Sequence, residues 1–194
     1  MPQTERQGEE HFTYADYRSW PDDERRELID GVAYNMSPAP GFRHQSVSSE
    51  MVIQFGTHLR NSACRVLAAP FDIRLPRGDE ADDEIDTVVQ PDLVVVCDRK
   101  KLDDKGCKGA PDLVIEILSP PTSSKDLHEK FRLYERVGVK EYWIVHPLDR
   151  TVMVFRHDGD SFTRPAMFAG EDQIGVPLLG ELVVDLSLVF GSLE

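Results

Sequence analysis

Apolar residues recur at every fourth position in the segment from Phe42 to about Asn61. These residues are Val47, Met51, Phe55 and Leu59. Residues four positions apart lie on the same face of an α-helix, so the spacing predicts an amphipathic helix. We expect this helix to pack on the core through its apolar face.

Two later runs, PDLVVVCD at 91–98 and PDLVIEILSP at 111–120, are apolar and rich in β-branched residues. Such runs are typical of strands that are buried on both faces of a sheet. The second run carries a charged residue, Glu116, in the middle of its apolar part. A carboxylate in that position is costly unless a cation pairs with it, so Glu116 needs a partner.

The segment that follows predicts a second helix. Serine and threonine residues after Pro121 suit a helix start, and Gly138 suits its end. The apolar stripe of this helix consists of Leu127, Phe131 and Tyr134. We expect this stripe to face the core.

Shorter signals complete the order of elements. They predict a short helix at about Tyr14 to Glu27, a turn at Asp30-Gly31 followed by a strand, strands at 141–147 and 151–164 joined at 148–150, and a hairpin turn at Asp158-Gly159. Strands and helices that alternate in this way predict an α/β fold, with a mixed sheet flanked by helices and additional β-hairpins. We expect one domain over residues 1–194, with a core at about 27–155 and a C-terminal β extension.

The net charge of −13 opposes binding to nucleic acid, because affinity for phosphates normally rests on lysine and arginine. Part of this charge is local, since segment 79–86 holds six acidic residues in eight and is typical of a solvated loop. Lysine and arginine are plentiful at 99–108 and 125–140. The total charge therefore does not exclude a nucleic-acid partner.

The sequence has no apolar stretch near the roughly 20 residues of a membrane span. Its polar, acidic N-terminus lacks the apolar run of about 7–15 residues found in secretory signals. We therefore expect a cytoplasmic protein that does not associate with membranes.

The three cysteines, Cys64, Cys97 and Cys107, show no C-x-x-C spacing, so we expect reduced thiols without a disulfide framework or a zinc site.

Asp92 and Glu116 are the first candidates for chemistry, because each belongs to one of the two predicted buried strands. Two carboxylates from neighbouring strands form an oxygen-rich site suited to Mg²⁺ or Mn²⁺. Such an ion can activate water for attack on phosphorus. The alternative is that Asp92 and Asp112 are acids at strand edges and that Glu116 pairs with a core cation.

Three further residues are candidates. Lys130 lies at the border of the apolar stripe of its helix and could reach Glu116, although it could instead form a surface pair with Asp126. His44 falls on the inward face of its helix, either aimed at the site or hydrogen-bonded within the core. Glu27 could be a metal ligand, could support one, or could be an ordinary acid at a helix end.

Several segments together resemble a known family: ELIDGVAYNMSPAP followed by His44, then PDLVVVCD, then GAPDLVIEILSPPT and KDLHEKFRLYERVGVKEYWIVHP. In this order and spacing, from about Glu27 to Phe155, the chain resembles the Uma family of restriction-endonuclease-like proteins, a branch of the PD-(D/E)XK nuclease superfamily. The resemblance implies a restriction-endonuclease-like core that holds a divalent metal. It also implies that Asp92 and Glu116 are the motif acids. Leu118 stands where the superfamily has its lysine, and the resemblance implies that Lys130 replaces it from the next helix.

Two functions remain open on this basis. The first is a Mg²⁺- or Mn²⁺-dependent endonuclease that hydrolyses DNA, with catalytic residues Asp92, Glu116, Lys130, His44 and Glu27 and with Asp92 and Glu116 as metal ligands. The second is a non-catalytic or regulatory protein in which the same charges form a structural ion-pair network. For the nuclease we expect a homodimer, which could pair through exposed hairpin strands such as TVMVF at 151–155. The patterns of serine hydrolases and phosphate-loop NTPases are absent from the sequence.

Overall fold

The structure, a computed structural model, describes residues 10–21, 25–36, 39–119, 124–191 and 193, with only the backbone of 124–126. The helices are α1 (Tyr14–Tyr17), α2 (Phe42–Leu59), α3 (Ser124–Arg136) and α4 (Leu186–Gly191). The strands are β1 (Arg26–Ile29), β2 (Val32–Asn35), β3 (Arg65–Ala68), β4 (Ile73–Arg74), β5 (Val88–Val89), β6 (Leu93–Val96), β7 (Leu102–Asp103), β8 (Gly106–Lys108), β9 (Leu113–Ile117), β10 (Glu141–His146), β11 (Thr151–Arg156), β12 (Ala166–Ala169), β13 (Gln173–Gly175) and β14 (Val183–Asp185).

The described strands form two six-stranded mixed sheets and one two-stranded ribbon. The first sheet has the order β2-β1-β5-β4-β8-β7, the second has the order β12-β11-β10-β9-β6-β3, and the ribbon is β13-β14. The chain crosses between the two sheets more than once, and residues 90–92 connect β5 of the first sheet to β6 of the second. The predicted α/β class with a mixed sheet, flanking helices and extra hairpins is confirmed, although two large sheets replace the single one that we expected.

The central strand β9 separates two apolar clusters. Leu113, Ile115 and Ile117 pack in the cluster that contains the buried face of α2, whereas Val114 packs in the cluster that contains Tyr134 of α3. Side chains alternate between the faces of a strand. Glu116 therefore points to the α3 side of the sheet.

Both long helices form as predicted. The four apolar residues of α2 are buried to 4% exposure or less, and the helix ends at Leu59, two residues before the predicted end. In α3, Tyr134 is buried, and Gly138 after the helix has a positive φ of 76°. That conformation suits glycine and ends the helix. The predicted capping residues after Pro121 lie outside the described residues.

The helix predicted at about Tyr14 to Glu27 is wrong in its second half. α1 ends at Tyr17, and Glu27 lies in β1, which pairs with β2 and with β5. The predicted turn at Asp30-Gly31 is present with φ values of 50° and 79°, as two-residue hairpin turns require. Pairing through this turn, together with the burial of Leu28, outweighs the local preference for helix.

The prediction of reduced cysteines is wrong for two of the three. Cys64 and Cys97 form a disulfide across β3 and β6, one position beyond the Arg65–Val96 pair of the antiparallel register. The third, Cys107, is a buried free thiol. The register of the two strands determines this pairing, and the sequence alone does not reveal it.

The acidic segment 79–86 is not simply a solvated loop. Asp82 accepts hydrogen bonds from Lys108 (2.8 Å), Lys105 (3.3 Å) and Arg74 (2.6 Å), which together lower the pKa of its carboxyl group to about 2. Arg74 is completely buried and also contacts Asp103 at 2.6 Å. Two cations in strands of the first sheet and Lys105 in the turn between β7 and β8 therefore bind the acidic segment and offset part of its charge.

Replacing Arg74 by methionine is expected to lower the free energy of unfolding by about 2–3 kcal/mol, because hydrogen bonds between charged groups are lost while the apolar stem is kept. Chemical denaturation would measure this loss. The matched control is Arg77→Met, since Arg77 pairs with Asp30 and Asp86 but is 55% exposed. The control should change stability by less than about 1 kcal/mol. Equal effects of the two substitutions would contradict a special role for the buried arginine.

The segment TVMVF does not provide a free strand for pairing between two copies. It lies in β11, which is hydrogen-bonded to β10 on one side and to β12 on the other. The edge strand at this end of the sheet is β12.

Within the described part of the chain, no helix is both long and apolar enough to cross a membrane.

Candidate functional site

Asp92 and Glu116 lie side by side at the end of the β6–β9 pair. These strands are antiparallel with Leu93 opposite Ile115, so the next position brings Asp92 opposite Glu116. The backbone N–H of Ile117 donates a hydrogen bond to Asp92 Oδ2 at 2.7 Å. The pairing of the two strands therefore brings together the two carboxylates that the sequence singles out. The hydrogen bond from Ile117 also holds the carboxylate of Asp92 in place.

The ammonium group of Lys130 lies between two carboxylates. Its Nζ is 2.9 Å from Glu116 Oε1 and 3.0 Å from Glu27 Oε1. All three side chains are nearly buried, with exposed fractions of 13% for Lys130, 10% for Glu116 and 8% for Glu27. This contact explains how a charged residue is accommodated in β9. The alternative partner of Lys130, the side chain of Asp126, lies outside the described residues.

The electrostatics of this cluster favour a protonated lysine. Burial alone lowers the pKa of Lys130, but the negative charges of Glu116 and Glu27 outweigh burial and raise it above the usual range. Burial raises the pKa of Glu116, while Lys130 opposes that change and Asp92 and Glu27 add to it. A cation near Asp92 and Glu116 would therefore favour the charged form of Glu116.

Glu27 reaches the cluster from the first sheet. Its Oε1 accepts a hydrogen bond from the backbone N–H of Gln90 at 2.8 Å as well as the contact from Lys130. Gln90 directly follows β5, the neighbour of β1, so the sheet places Glu27 next to the segment that leads to Asp92. The contacts of Glu27 are those of a residue that holds Lys130 in place.

His44 lies in the first turn of α2 and points to the same site. Its Nε2 is 3.1 Å from Asp92 Oδ1, and its side chain is 11% exposed. Its Nδ1 is buried and finds no hydrogen-bond partner among the described residues. Both oxygens of Asp92 therefore have a neighbour: the Ile117 amide on one side and the His44 ring on the other.

Sequence reasoning missed two residues that belong to this site. The first is Tyr134, whose hydroxyl donates a hydrogen bond to Glu116 Oε1 at 2.8 Å. The second is Gln90, whose side-chain amide also donates to Asp72 and to the Tyr17 hydroxyl. The position of Tyr134 four residues after Lys130 was the available signal, because residues at that spacing share a helix face.

All five predicted residues, Glu27, His44, Asp92, Glu116 and Lys130, line one cleft with a volume of about 270 Å³. The structure thus brings the whole predicted set together. Apolar residues form other parts of the wall, among them Ile29, Tyr34, Pro40, Leu118 and Leu127. Arg25 and Glu129 add charge at this cleft.

The carboxylate oxygens of Asp92 and Glu116 suit Mg²⁺ or Mn²⁺ in the way that these ions usually bind to proteins. The described residues contain no group of three or more His, Cys, Asp or Glu side chains arranged to hold a metal ion. Two adjacent carboxylates, Asp92 and Glu116, remain. Mg²⁺ commonly binds through one or two carboxylates and completes its shell with water and phosphate oxygens, so such a pair is sufficient.

Two mixed sheets with flanking helices define a mixed α/β protein, whose cleft holds paired carboxylates and a lysine. The chain belongs to the family described as "Uma2: Putative restriction endonuclease", whose model matches residues 14–187. It is similar in fold to a putative nuclease belonging to DUF820 from Anabaena variabilis, with a TM-score of 0.75, 22% identity and coverage of 94% of this chain and 99% of that one. It is also similar to the uncharacterized protein slr1290 of Synechocystis sp., with 23% identity over 168 residues, 85% of this chain and 84% of that protein.

Proposed function

We propose that this protein is a Mg²⁺- or Mn²⁺-dependent endonuclease that hydrolyses phosphodiester bonds in DNA. One observation carries the proposal: Asp92 and Glu116 lie side by side in a cleft, and Glu116 holds a buried lysine at 2.9 Å. A structural ion pair requires only Glu116 and Lys130. The second carboxylate beside them is what a cation site needs.

In this proposal Asp92 and Glu116 are the metal ligands. A divalent cation bound there would supply the Lewis acidity that activates water and offsets charge on the phosphate. The Ile117 amide keeps Asp92 facing its neighbour, because the hydrogen bond of 2.7 Å fixes the carboxylate plane. His44 supports the same carboxylate from the helix side at 3.1 Å.

Lys130 would act through its charge. Its neighbours keep it protonated, so it is suited to stabilise the negative charge that develops on phosphorus-bound oxygens. The same protonation makes it a poor base. Glu27 would act as a positioning residue, since it contacts Lys130 from the opposite sheet and is itself held by the Gln90 amide.

DNA as substrate, a homodimeric state and a cytoplasmic location are parts of the same proposal. The family description supports a nuclease. The acidic segment is less adverse to DNA than its composition suggests, because Arg74, Lys105 and Lys108 offset Asp82. A homodimer would present two sites, one for each strand of a duplex.

The rival function is a non-catalytic protein in which the cluster serves as an ion-pair network. The specific observation in its favour is that Lys130 contacts both Glu27 and Glu116, so that its charge is fully paired within the protein. The rival function does not account for Asp92. The neighbours of this carboxylate include the Ile117 amide and His44 but not the lysine. We therefore rank it second.

Calorimetric titration of Mn²⁺ and Mg²⁺ tests the proposal. The wild-type protein should bind the ion at one site, whereas Asp92→Asn and Glu116→Gln should each abolish detectable binding, because both proposed ligands are needed and neutral amides are poor ligands for these hard cations. The same variants should fail to nick supercoiled plasmid DNA in the presence of Mg²⁺.

The control variant is Glu129→Gln, which removes an equal charge from the wall of the same cleft. It should retain metal binding and cleavage. Absence of binding in the folded wild-type protein would refute the proposal, and so would binding that survives both Asp92→Asn and Glu116→Gln. Each variant is compared only after circular dichroism shows that it is folded.

A further inference from the structure

We propose that Tyr134 is a positioning residue, whose hydroxyl fixes the Glu116 carboxylate so that Oε2 is presented to the cation in the cleft. This inference rests on the proposed function. It assigns a role in metal binding to a tyrosine that the pattern of the sequence places only in the core.

The Glu116 carboxylate accepts hydrogen bonds from Tyr134 and Lys130 on the same oxygen atom. The Tyr134 hydroxyl is 2.8 Å from Oε1, and Lys130 Nζ is 2.9 Å from the same atom. Among the described residues, every hydrogen bond to this carboxylate reaches Oε1. The two donors together set the orientation of the carboxylate, because the terminal torsion of glutamate is otherwise broad.

Tyr134 is itself rigidly held. Its side chain is completely buried, and its ring packs edge-on against the ring of Tyr142 with the centroids 5.1 Å apart. The ammonium of Lys130 stands on a flexible four-carbon stem and is shared with Glu27, whereas the Tyr134 ring is packed in the core and offers its hydroxyl at one place. The tyrosine is therefore the donor that determines where the carboxylate lies, and Lys130 supplies the charge.

The chain offers a matched control in Tyr142. This residue is also completely buried and lies in the same aromatic cluster, but its hydroxyl has no hydrogen-bond partner among the described residues. Tyr134→Phe and Tyr142→Phe each remove one buried hydroxyl and keep the ring. Only the first of these substitutions removes a contact with Glu116.

The test is the affinity for Mn²⁺, measured by calorimetry on wild-type protein, Tyr134→Phe and Tyr142→Phe at a temperature where all three are folded. Loss of a residue that orients a metal ligand typically weakens metal binding by about 10–100-fold. We expect Tyr134→Phe to raise the Kd at least about tenfold and Tyr142→Phe to change it by less than about twofold. A residue that serves only the fold would alter the unfolding transition and leave the Kd of the folded protein unchanged.

Three results would overturn the inference while leaving the proposed function intact. These are an unchanged Kd in Tyr134→Phe, an equal rise in both variants, and a Tyr134→Phe protein that does not fold although Tyr142→Phe does. A wild-type protein that binds no Mn²⁺ would instead refute the proposed function, together with the role of Tyr134 that depends on it. The wild-type titration therefore separates the two failures.

Discussion

Replacing Lys130 by methionine should lower the free energy of unfolding by about 3–5 kcal/mol at pH 8, the cost typical of a buried charge left without its partner. The substitution keeps the apolar stem but leaves Glu27 and Glu116 without a cation, and their side chains are only 8% and 10% exposed. Denaturation by urea, followed by circular dichroism, would measure the loss.

The loss should become smaller as the pH falls from 8 to 5. Burial holds the pKa of Glu116 above its unfolded value of 4.5 even though Lys130 lowers it, so removing Lys130 should raise this pKa further and make folding favour the protonated acid more strongly. A group with a raised pKa contributes its stability below the unfolded pKa and loses it as the pH rises through the folded pKa. The variant should therefore be closest to wild type at low pH and furthest from it at high pH.

Lys140→Met is the matched control. Lys140 also lies close to a buried carboxylate, with Nζ 2.6 Å from Asp112 Oδ1, but its own side chain is 62% exposed. Asp112 is itself only 8% exposed, but the Cys97 amide still donates to it when Lys140 is absent, and water can take the exposed position of the lysine. The control should lose less than about 1 kcal/mol. A Lys130→Met protein as stable as this control would show that the buried cluster does not need its cation.

The elements that carry the site could be predicted because their signals are local. The four-residue spacing in α2 placed His44 on the inward face, and the two Pro-Asp runs placed Asp92 and Glu116 on buried strands. A single acid inside an apolar run demands a cation, which made Lys130 a candidate beside the alternative of a surface pair with Asp126, and the family resemblance then favoured Lys130. Apart from that step, these conclusions follow from patterns only a few residues long.

The remaining features depend on contacts between distant segments. The position of Glu27 at the site depends on the pairing of β1 with β5, about 60 residues later in the chain, and nothing between Tyr14 and Glu27 signals that pairing. The disulfide joins cysteines with a sequence separation of 33. Tyr134 has the spacing of an ordinary core residue, and only the position of Glu116 on a neighbouring element gives its hydroxyl a partner.

Lys130→Met cannot by itself separate catalysis from a structural role. The sequence alone suggests that a catalytic lysine would cost activity with little loss of folding. In the structure the lysine is the cationic partner of two buried carboxylates, so both functions predict a loss of stability. The two functions differ in what they predict when all the charges of the cluster are removed together.

Combining Glu27→Gln, Glu116→Gln and Lys130→Met should restore the free energy of unfolding to within about 1 kcal/mol of wild type or above it, since replacing a whole buried ion cluster is often neutral or stabilising. The amide oxygens can still accept the hydrogen bonds from the Gln90 amide and the Tyr134 hydroxyl. The recovery relative to Lys130→Met should therefore be about 3 kcal/mol or more, measured by urea denaturation at pH 8.

The variant with only Glu27→Gln and Lys130→Met is the internal control, because Glu116 remains charged and the recovery should be partial. A triple variant that regains stability but no longer binds Mn²⁺ would mean that the charges are not required for folding and serve the metal site. A triple variant as unstable as Lys130→Met would mean that the cluster holds the two sheets together, and the non-catalytic function would then take first place. Stability and metal binding of one protein thus decide between the two functions, whatever DNA sequence is cut.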